Sequence, residues 1–480
     1  MRSFWIAAGL YLIALLWLDL GFIPYPADND LQFIGWMAEH LRLSRPESLL
    51  GKNYPFPMGF PLLMRGLTPL FGSIVRAALF CQAVASTLGL LLVFAITRKL
   101  FASERAAGAA AFAAAAVNFP VAISEFADSL AALAVLFGLW VLLEDLRSPR
   151  RQFIAGLTIG AAYLIRFHYL TFLIIFPAAL LVLRPGLKAF LSCTAALLAG
   201  FAVAVSPLIA GNLIVYRVPL HTGLSSYILG YNAVEAVDWN DFPATYALWP
   251  VSRVLAERPG AFLWTMVKNL GSFLHPFALF TLAAAVAGLI RSRRRIAGYL
   301  LALAGGYVVL DILISRYTNR AAVPAFLLLS IVSMGLVVPL QWPRFVKGVV
   351  LAGIAAGLAV HGYKQVLLVK ARRADLQENQ AVVRVLKENG FRESGEVFCN
   401  DWNIYNLDHP FLEPFYDYGG YMLLDSEYAA QRPLPRGDFD AFARRQGIRF
   451  AILVRGLPGP EVTWRRIFSD ARLDVYRRDS

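Results

Sequence analysis

The sequence predicts a polytopic α-helical membrane protein of about eleven spans, followed by a small α/β domain. Three observations carry that expectation. The 480 residues are 58% hydrophobic and only 16% charged, outside the range of an ordinary soluble enzyme. Apolar runs of about 20 residues, the length that crosses a bilayer, recur as far as residue 367. From residue 371 the composition becomes charged and mixed.

A window of about 20 residues places spans near 4–23, 72–97, 106–123, 129–146, 153–165, 168–183, 189–214, 262–290, 297–314, 321–340 and 347–367. The first, Phe4 to Phe22, is too long for a signal-peptide core and lacks a small-residue cleavage site, so it reads as a retained helix. The fifth and sixth are short and meet at Arg166-Phe167-His168, which fits either a crossing pair or a re-entrant hairpin.

Charge sorts the loops. The formal charge of +13 is not a nucleic-acid signature, because the basic residues fall in short clusters between apolar spans. Arg2, Arg98-Lys99 with Arg105, Arg147 with Arg150-Arg151, Arg184 with Lys188, Arg291 to Arg295, and Arg344 with Lys347 occupy alternate loops. The positive-inside rule puts those loops and the N-terminus in the cytoplasm. Loops 24–71 and 215–261 and the C-terminal tail then face outward, which in a bacterium is the periplasmic side of the inner membrane. His221, Trp239 and Trp249 in the second outer loop read as interfacial residues. Cys81, Cys193 and Cys399 give no paired framework.

Asp28 and Asp30 follow the first span directly, and acids at a membrane boundary are costly unless solvated, paired or used. Leu31, Ile34, Met37, Ala38 and Leu41 follow helical spacing, so Asp30 stands where an N-cap would, ahead of an interfacial amphipathic helix. A capped carboxylate is held rigid and ionised, as a general base requires. Glu125 and Asp128 are one turn apart; with His168 or His275 they could ligate a divalent cation, although packing is the commoner role of a lone histidine and Asp128 could simply cap its helix. Arg166, Arg316 and Arg320 suit anion binding or, as the plainer reading, snorkelling at the interface.

In the tail, helices are expected at Ala381 to Asn389, ended by Gly390, and at Phe439 to Gln446; strands are expected at Glu396 to Asn400, Arg449 to Val454 and Leu473 to Arg477. The chain therefore divides into 1–370, the membrane part, and 371–480, an α/β domain.

The order of these features resembles the GT-C-type membrane glycosyltransferases, in the branch of the lipid A aminoarabinose transferases and protein O-mannosyltransferases. The resemblance rests on a helix followed by an outer-loop acid and short helix (Asp30 to Leu41), and on Tyr54-Pro55-Phe56-Pro57-Met58-Gly59-Phe60-Pro61-Leu62-Leu63. Glu125-Phe126-Ala127-Asp128, Leu164-Ile165-Arg166, and Ser315-Arg316-Tyr317 with Arg320 and Pro324 add to it. It covers about 4 to 340. It departs after the acid, where Leu31 and Gln32 stand in place of a second acid; Asp28 is then the alternative counterpart to Asp30. The resemblance implies transfer of a sugar from a polyprenyl-phosphate carrier, embedded among membrane lipids, to a hydroxyl of a lipid, glycan or protein acceptor. Asp30 or Asp28 would be the base. Arg316, Arg320, Arg166 and Lys52 would hold the phosphate, with Tyr54 and Tyr317 beside it. A transporter would instead place paired ionisable groups near mid-membrane and show similar halves, and an O-antigen-ligase-like or polymerase-like enzyme would lack the acid after the first helix.

Overall fold

The computed structural model describes residues 2–17, 59–72, 74–122, 127–216, 276–292, 295–314, 323–339, 380–392, 396–399, 439–455 and 460–479, with scattered helical positions at 256–270 and 345–367. The membrane part contains α1 (Arg2–Trp17), α2 (Gly59–Phe71), α3 (Ile74–Phe101), α4 (Glu104–Ala122), α5 (Asp128–Leu142), α6 (Pro149–Ile165), α7 (Phe172–Leu180), α8 (Leu187–Tyr216), α9 (Pro276–Ser292), α10 (Arg295–Ile314) and α11 (Val323–Val337). Arg76–Phe101 and Leu187–Ala210 are each long and apolar enough to cross a bilayer. Only 28% of the Leu187–Ala210 window is buried, and Leu187, Leu191, Leu198 and Val203 face outward, as lipid contact and not a soluble core requires.

The middle of the bundle is α11. All fifteen of its residues are buried, and its sequence is apolar all round, as a helix enclosed by others must be. Ser330 and Ser333 satisfy their hydroxyls by donating to the carbonyls of Phe326 (2.8 Å) and Leu329 (2.6 Å).

Glycine sets the closest crossing. Gly156 and Gly160 of α6 face Leu197, Phe201 and Ala204 of α8, while Gly200 of α8 faces the Phe153 carbonyl; a Cβ at Gly156 or Gly200 would overlap backbone oxygen. This small-residue spacing lets two helices approach where lipid supplies no hydrophobic drive between them.

The Arg166 junction makes a crossing pair. The chain leaves α6 through extended Arg166, passes a 3-10 segment (Phe167–Thr171) and α7, and ends in a second 3-10 turn at Leu181–Leu183. Arg147, just before α6, donates to the Leu183 carbonyl at 3.0 Å, so the returning limb reaches the level where α6 began. Tightly wound 3-10 ends, with their larger rise per residue, stretch the seventeen-residue limb to about 30 Å, where pure α-helix would give about 25 Å.

The bundle has two distinct ends. Lys99 and Arg151 converge on Glu144, and Arg151 also donates to the Val141 carbonyl at 3.2 Å, so basic side chains cover helix C-termini at one end. Phe4 stacks on Phe94 there (3.8 Å between rings), Gly335 meets Phe101, and Gly298 meets Val182. At the opposite end lie the start of α5, the end of α6 and the start of α2.

Residues 24–71 were expected to be one outer loop, but Gly59–Phe71 is helix α2. Phe60, Met64, Leu67 and Phe71 form an apolar stripe against Ala77, Ala78 and Leu79 of α3. The amphipathic helix expected at Leu31 to Leu41 lies outside the described residues, as do residues 217–255 with His221, Trp239 and Trp249.

Near the C-terminus, a helix at 380–388 (α12), β1 (Val397–Cys399), α13 (Phe439–Gln446), β2 (Phe450–Val454), β3 (Arg465–Ser469) and β4 (Leu473–Arg477) form a sheet flanked by helices. Strand order is β1-β2-β4-β3, with β1 and β2 parallel and the other pairs antiparallel. Phe450, Ile452 and Val454 alternate onto the face covered by Val382, Val383 and Leu386 of α12, whereas Ala451 faces Phe439, Phe442 and Ala443 of α13. Both helices end in a Schellman turn at a left-handed glycine. Gly390 (φ 84°) is followed by a Phe391-to-Leu386 bond and Gly447 (φ 73°) by an Ile448-to-Ala443 bond. Strand β3 was not expected; its charged start and the irregularity between Arg466 and Phe468 hide the alternation.

Candidate functional site

At the end opposite the basic cluster, Arg166 Nη2 lies 3.1 Å from Asp128 Oδ2. The side chains are 8% and 1% exposed, so the pair sits inside the protein. His168 Nε2 lies 3.8 Å from the other carboxylate oxygen, and the Tyr169 hydroxyl donates to the Asp128 main-chain carbonyl at 3.1 Å. One acid in the first turn of α5 is therefore bound by three residues of the α6–α7 junction. Two expectations are corrected by this arrangement. Arg166 does not snorkel, because its charge is buried against a carboxylate. Asp128 does not cap α5, because the N-cap is Ala127, no side-chain cap bond forms, and the carboxylate turns to Arg166.

Local sequence explains how the junction is held. Arg166 adopts extended backbone (φ −148°, ψ 120°) between two helical segments while its amide still closes the last turn of α6 on Ala162 at 2.8 Å. Tyr169 packs against Phe172, and Phe172 stacks on Tyr307 of α10 with rings 4.7 Å apart. Beneath Asp128, Gln82 of α3 donates to the Ser129 hydroxyl (3.0 Å), which donates to Asn118 of α4 (3.4 Å). All three are buried, so the start of α5 is tied to two neighbouring helices by polar contacts. Gly59 brings α2 in from the side, with no room for a Cβ beside the Leu164 carbonyl.

Of the residues singled out in the sequence, Arg166, Asp128 and His168 come together. Asp28, Asp30, Lys52, Tyr54, Glu125, His275, Arg316, Tyr317 and Arg320 lie outside the described residues. The described helix ends that flank them share one feature. Helix α1 has Phe4 at the basic end and Trp17 away from it; α2 starts beside Leu164. Helix α10 runs from Gly298 beside Val182 to Tyr307 beside Tyr169, and α11 runs back to Gly335 beside Phe101. Thus α1 and α10 end, and α2 and α11 begin, at the Asp128–Arg166 end.

Gln82, Asn118 and Ser129 were not anticipated, although lone polar residues inside apolar spans were the available signal. Among the described residues there is no group of three or more His, Cys, Asp and Glu side chains that could hold a metal ion. With Arg166 on one oxygen of Asp128, that carboxylate is an ion-pair partner, which disfavours its use as a cation ligand.

This architecture spans the whole length of a solved membrane enzyme. ArnT from Cupriavidus metallidurans in the apo state matches with a TM-score of 0.57 at 15% identity, covering 99% of this chain and 98% of that one. The chain has the fold of the GT-C-type membrane glycosyltransferases. The GT-C likeness extends to ArnT bound to undecaprenyl phosphate, with a TM-score of 0.53 at 13% identity and the same coverage of both chains. Residues 56–215, about a third of the chain and the stretch that contains α2 to α8 with Asp128, Arg166 and His168, match the family model of dolichyl-phosphate-mannose-protein mannosyltransferase. No curated protein sequence matches the chain.

Proposed function

We propose that this protein is a membrane glycosyltransferase. It moves a sugar from a polyprenyl-phosphate carrier to an acceptor hydroxyl on the periplasmic face of a bacterial inner membrane, with about eleven crossings, the N-terminus cytoplasmic and the C-terminus periplasmic. The observation that carries the reading is the coincidence of the GT-C fold with a buried Asp128–Arg166 pair, at the end where α1 and α10 stop and α2 and α11 begin.

Phosphate is a competent leaving group, so the protein must supply a base for the acceptor and cations for the departing lipid phosphate. Asp30 takes the acceptor proton in this account, with Asp28 as the alternative. Arg316, Arg320 and Lys52 grip the phosphate, with Tyr54 and Tyr317 beside it. Arg166 has a narrower role than the sequence suggested: its charge is matched by Asp128, so it serves as a fixed point that orients the α6–α7 junction and adds only the outer edge of its guanidinium to the field. The crystal structure of ArnT bound to undecaprenyl phosphate supports a lipid-linked donor here.

The test is turnover and binding with purified protein and an extract of lipid-linked sugars, for wild type, Asp30→Asn and Asp28→Asn. Loss of turnover with retained binding in one of the two names the base. Unimpaired turnover in both removes the first outer loop from the mechanism.

A further inference from the structure

The C-terminal sheet concentrates arginine at one end. Arg477 of β4 is directly opposite Arg465 of β3 and, on its other side, opposite Phe450 of β2. The next residue, Arg478, donates its amide to the Arg449 carbonyl at 2.9 Å, and Arg444 sits in the last turn of α13 just before β2. Like charges directly opposite on neighbouring strands repel, so the Arg465–Arg477 juxtaposition weakens the sheet unless an anion lies across it.

The local carboxylates do not balance this charge. Glu396 is paired with Arg449 at 3.2 Å, and Asp440 accepts the Trp464 indole N–H while its charge acts on Arg478, so neither is placed on Arg465 or Arg477. Among the described residues, Arg444, Arg465 and Arg477 make no ion pair. Arg478 lies over the Trp464 ring at 5.8 Å, and its Nη1 is buried with no hydrogen-bond partner among the described residues. Burial, then the nearby charges of Arg444 and Arg449, pull the Arg478 pKa below its usual value against the opposing effect of Asp440. An unbalanced cluster of guanidinium groups matches phosphate oxygens in charge and geometry.

We infer that this arginine-rich end docks on the anionic phospholipid headgroups of the bilayer that holds the chain. The tether favours that occupant over a soluble one. Helical positions at 345–367 still expose Phe345, Val349, Tyr363 and Leu367, and α12 begins at 380. Residues 368–379 span at most about 40 Å when fully extended, which keeps the start of α12 within that reach of residue 367 and holds the sheet at a high local concentration beside the bilayer. Basic segments next to a membrane are attracted to an anionic surface within a screening length. The inference goes beyond sugar transfer and holds or fails independently of it.

The experiment is hydrogen exchange of the full-length protein in nanodiscs of phosphatidylcholine alone or with phosphatidylglycerol. Amides of 465–469 and 473–478 exchange severalfold more slowly in the anionic discs, and the protection disappears at about 1 M salt, where the screening length is about 3 Å. Arg465→Gln/Arg477→Gln loses the protection, while Arg465→Lys/Arg477→Lys keeps most of it; exchange in neutral discs reports whether each variant is folded. Identical exchange of wild type in the two lipids overturns the proposal. So does protection produced in neutral discs by inorganic phosphate alone, which would mark a discrete phosphate site.

Discussion

Arg166 reaches across 38 residues of sequence to hold Asp128 at 3.1 Å, joining the end of α6 to the first turn of α5 inside the protein. The carboxylate stands at a helix N-terminus, where the backbone dipole already favours negative charge. Desolvation of two ions is offset only while both are present. Arg166→Met or Asp128→Leu alone should therefore lower stability by about 3–5 kcal/mol, the usual range for a broken buried pair. The Asp128→Leu/Arg166→Met double variant should recover most of that loss. Thermal unfolding in detergent measures both, and equal losses in single and double variants would refute the pairing.

The α6–α8 crossing predicts a second outcome. Gly156→Ala and Gly200→Ala each push a methyl into a backbone carbonyl of the facing helix, costing about 1–3 kcal/mol. Gly108→Ala on α4, where a Cβ meets nothing within 4 Å, is the control and should be neutral or slightly stabilising. Unfolding temperatures of the three variants decide it.

Much of the fold was legible because hydropathy in a membrane protein reports helix position directly. α4, α10 and α13 fall within a few residues of their expected limits, and Gly390 ends α12 in a left-handed turn as its position implied. Helix α2 was hidden by the prolines at its entry, which made Tyr54 to Leu63 look like loop. In the site, Asp128, Arg166 and His168 were each conspicuous as charge or imidazole at a span boundary. Their mutual contact was not legible, because it depends on which helix ends meet. That is decided by close packing of Gly138 on Thr158 and of Gly59 on Leu164, and spacing within one helix does not encode it.

A third prediction concerns the turn between α3 and α4. Ala102 has φ 53°, a left-handed conformation that costs a β-carbon-bearing residue about 1 kcal/mol, while Ser103 caps α4 through the Ala106 amide at 3.2 Å. Ala102→Gly should stabilise the protein by up to that amount, and Ser103→Ala should destabilise it by a similar amount. Denaturation midpoints test both signs.

A fourth concerns acid. Hydrogen bonds from Arg455 and then Ser469 hold the Asp474 carboxyl below its ordinary pKa, against a smaller opposing effect of burial. A depressed folded-state pKa gives stabilisation that is complete above the unfolded value of about 3.9. It is lost as pH falls through the folded value. Protection of β3 and β4 amides, as exchange relative to the intrinsic rate at each pH, should therefore fall below about pH 4 in wild type. In Asp474→Asn that acid-dependent component should be missing.

The central claim is sugar transfer from a lipid-phosphate carrier. Its most direct test is release of polyprenyl phosphate, followed by mass spectrometry, when purified wild-type protein in nanodiscs meets an extract of lipid-linked sugars. The account predicts release that requires an acceptor and is abolished by changing Asp30 or Asp28 to Asn. Well-folded protein that binds no polyprenyl-phosphate sugar and releases no polyprenyl phosphate would contradict it.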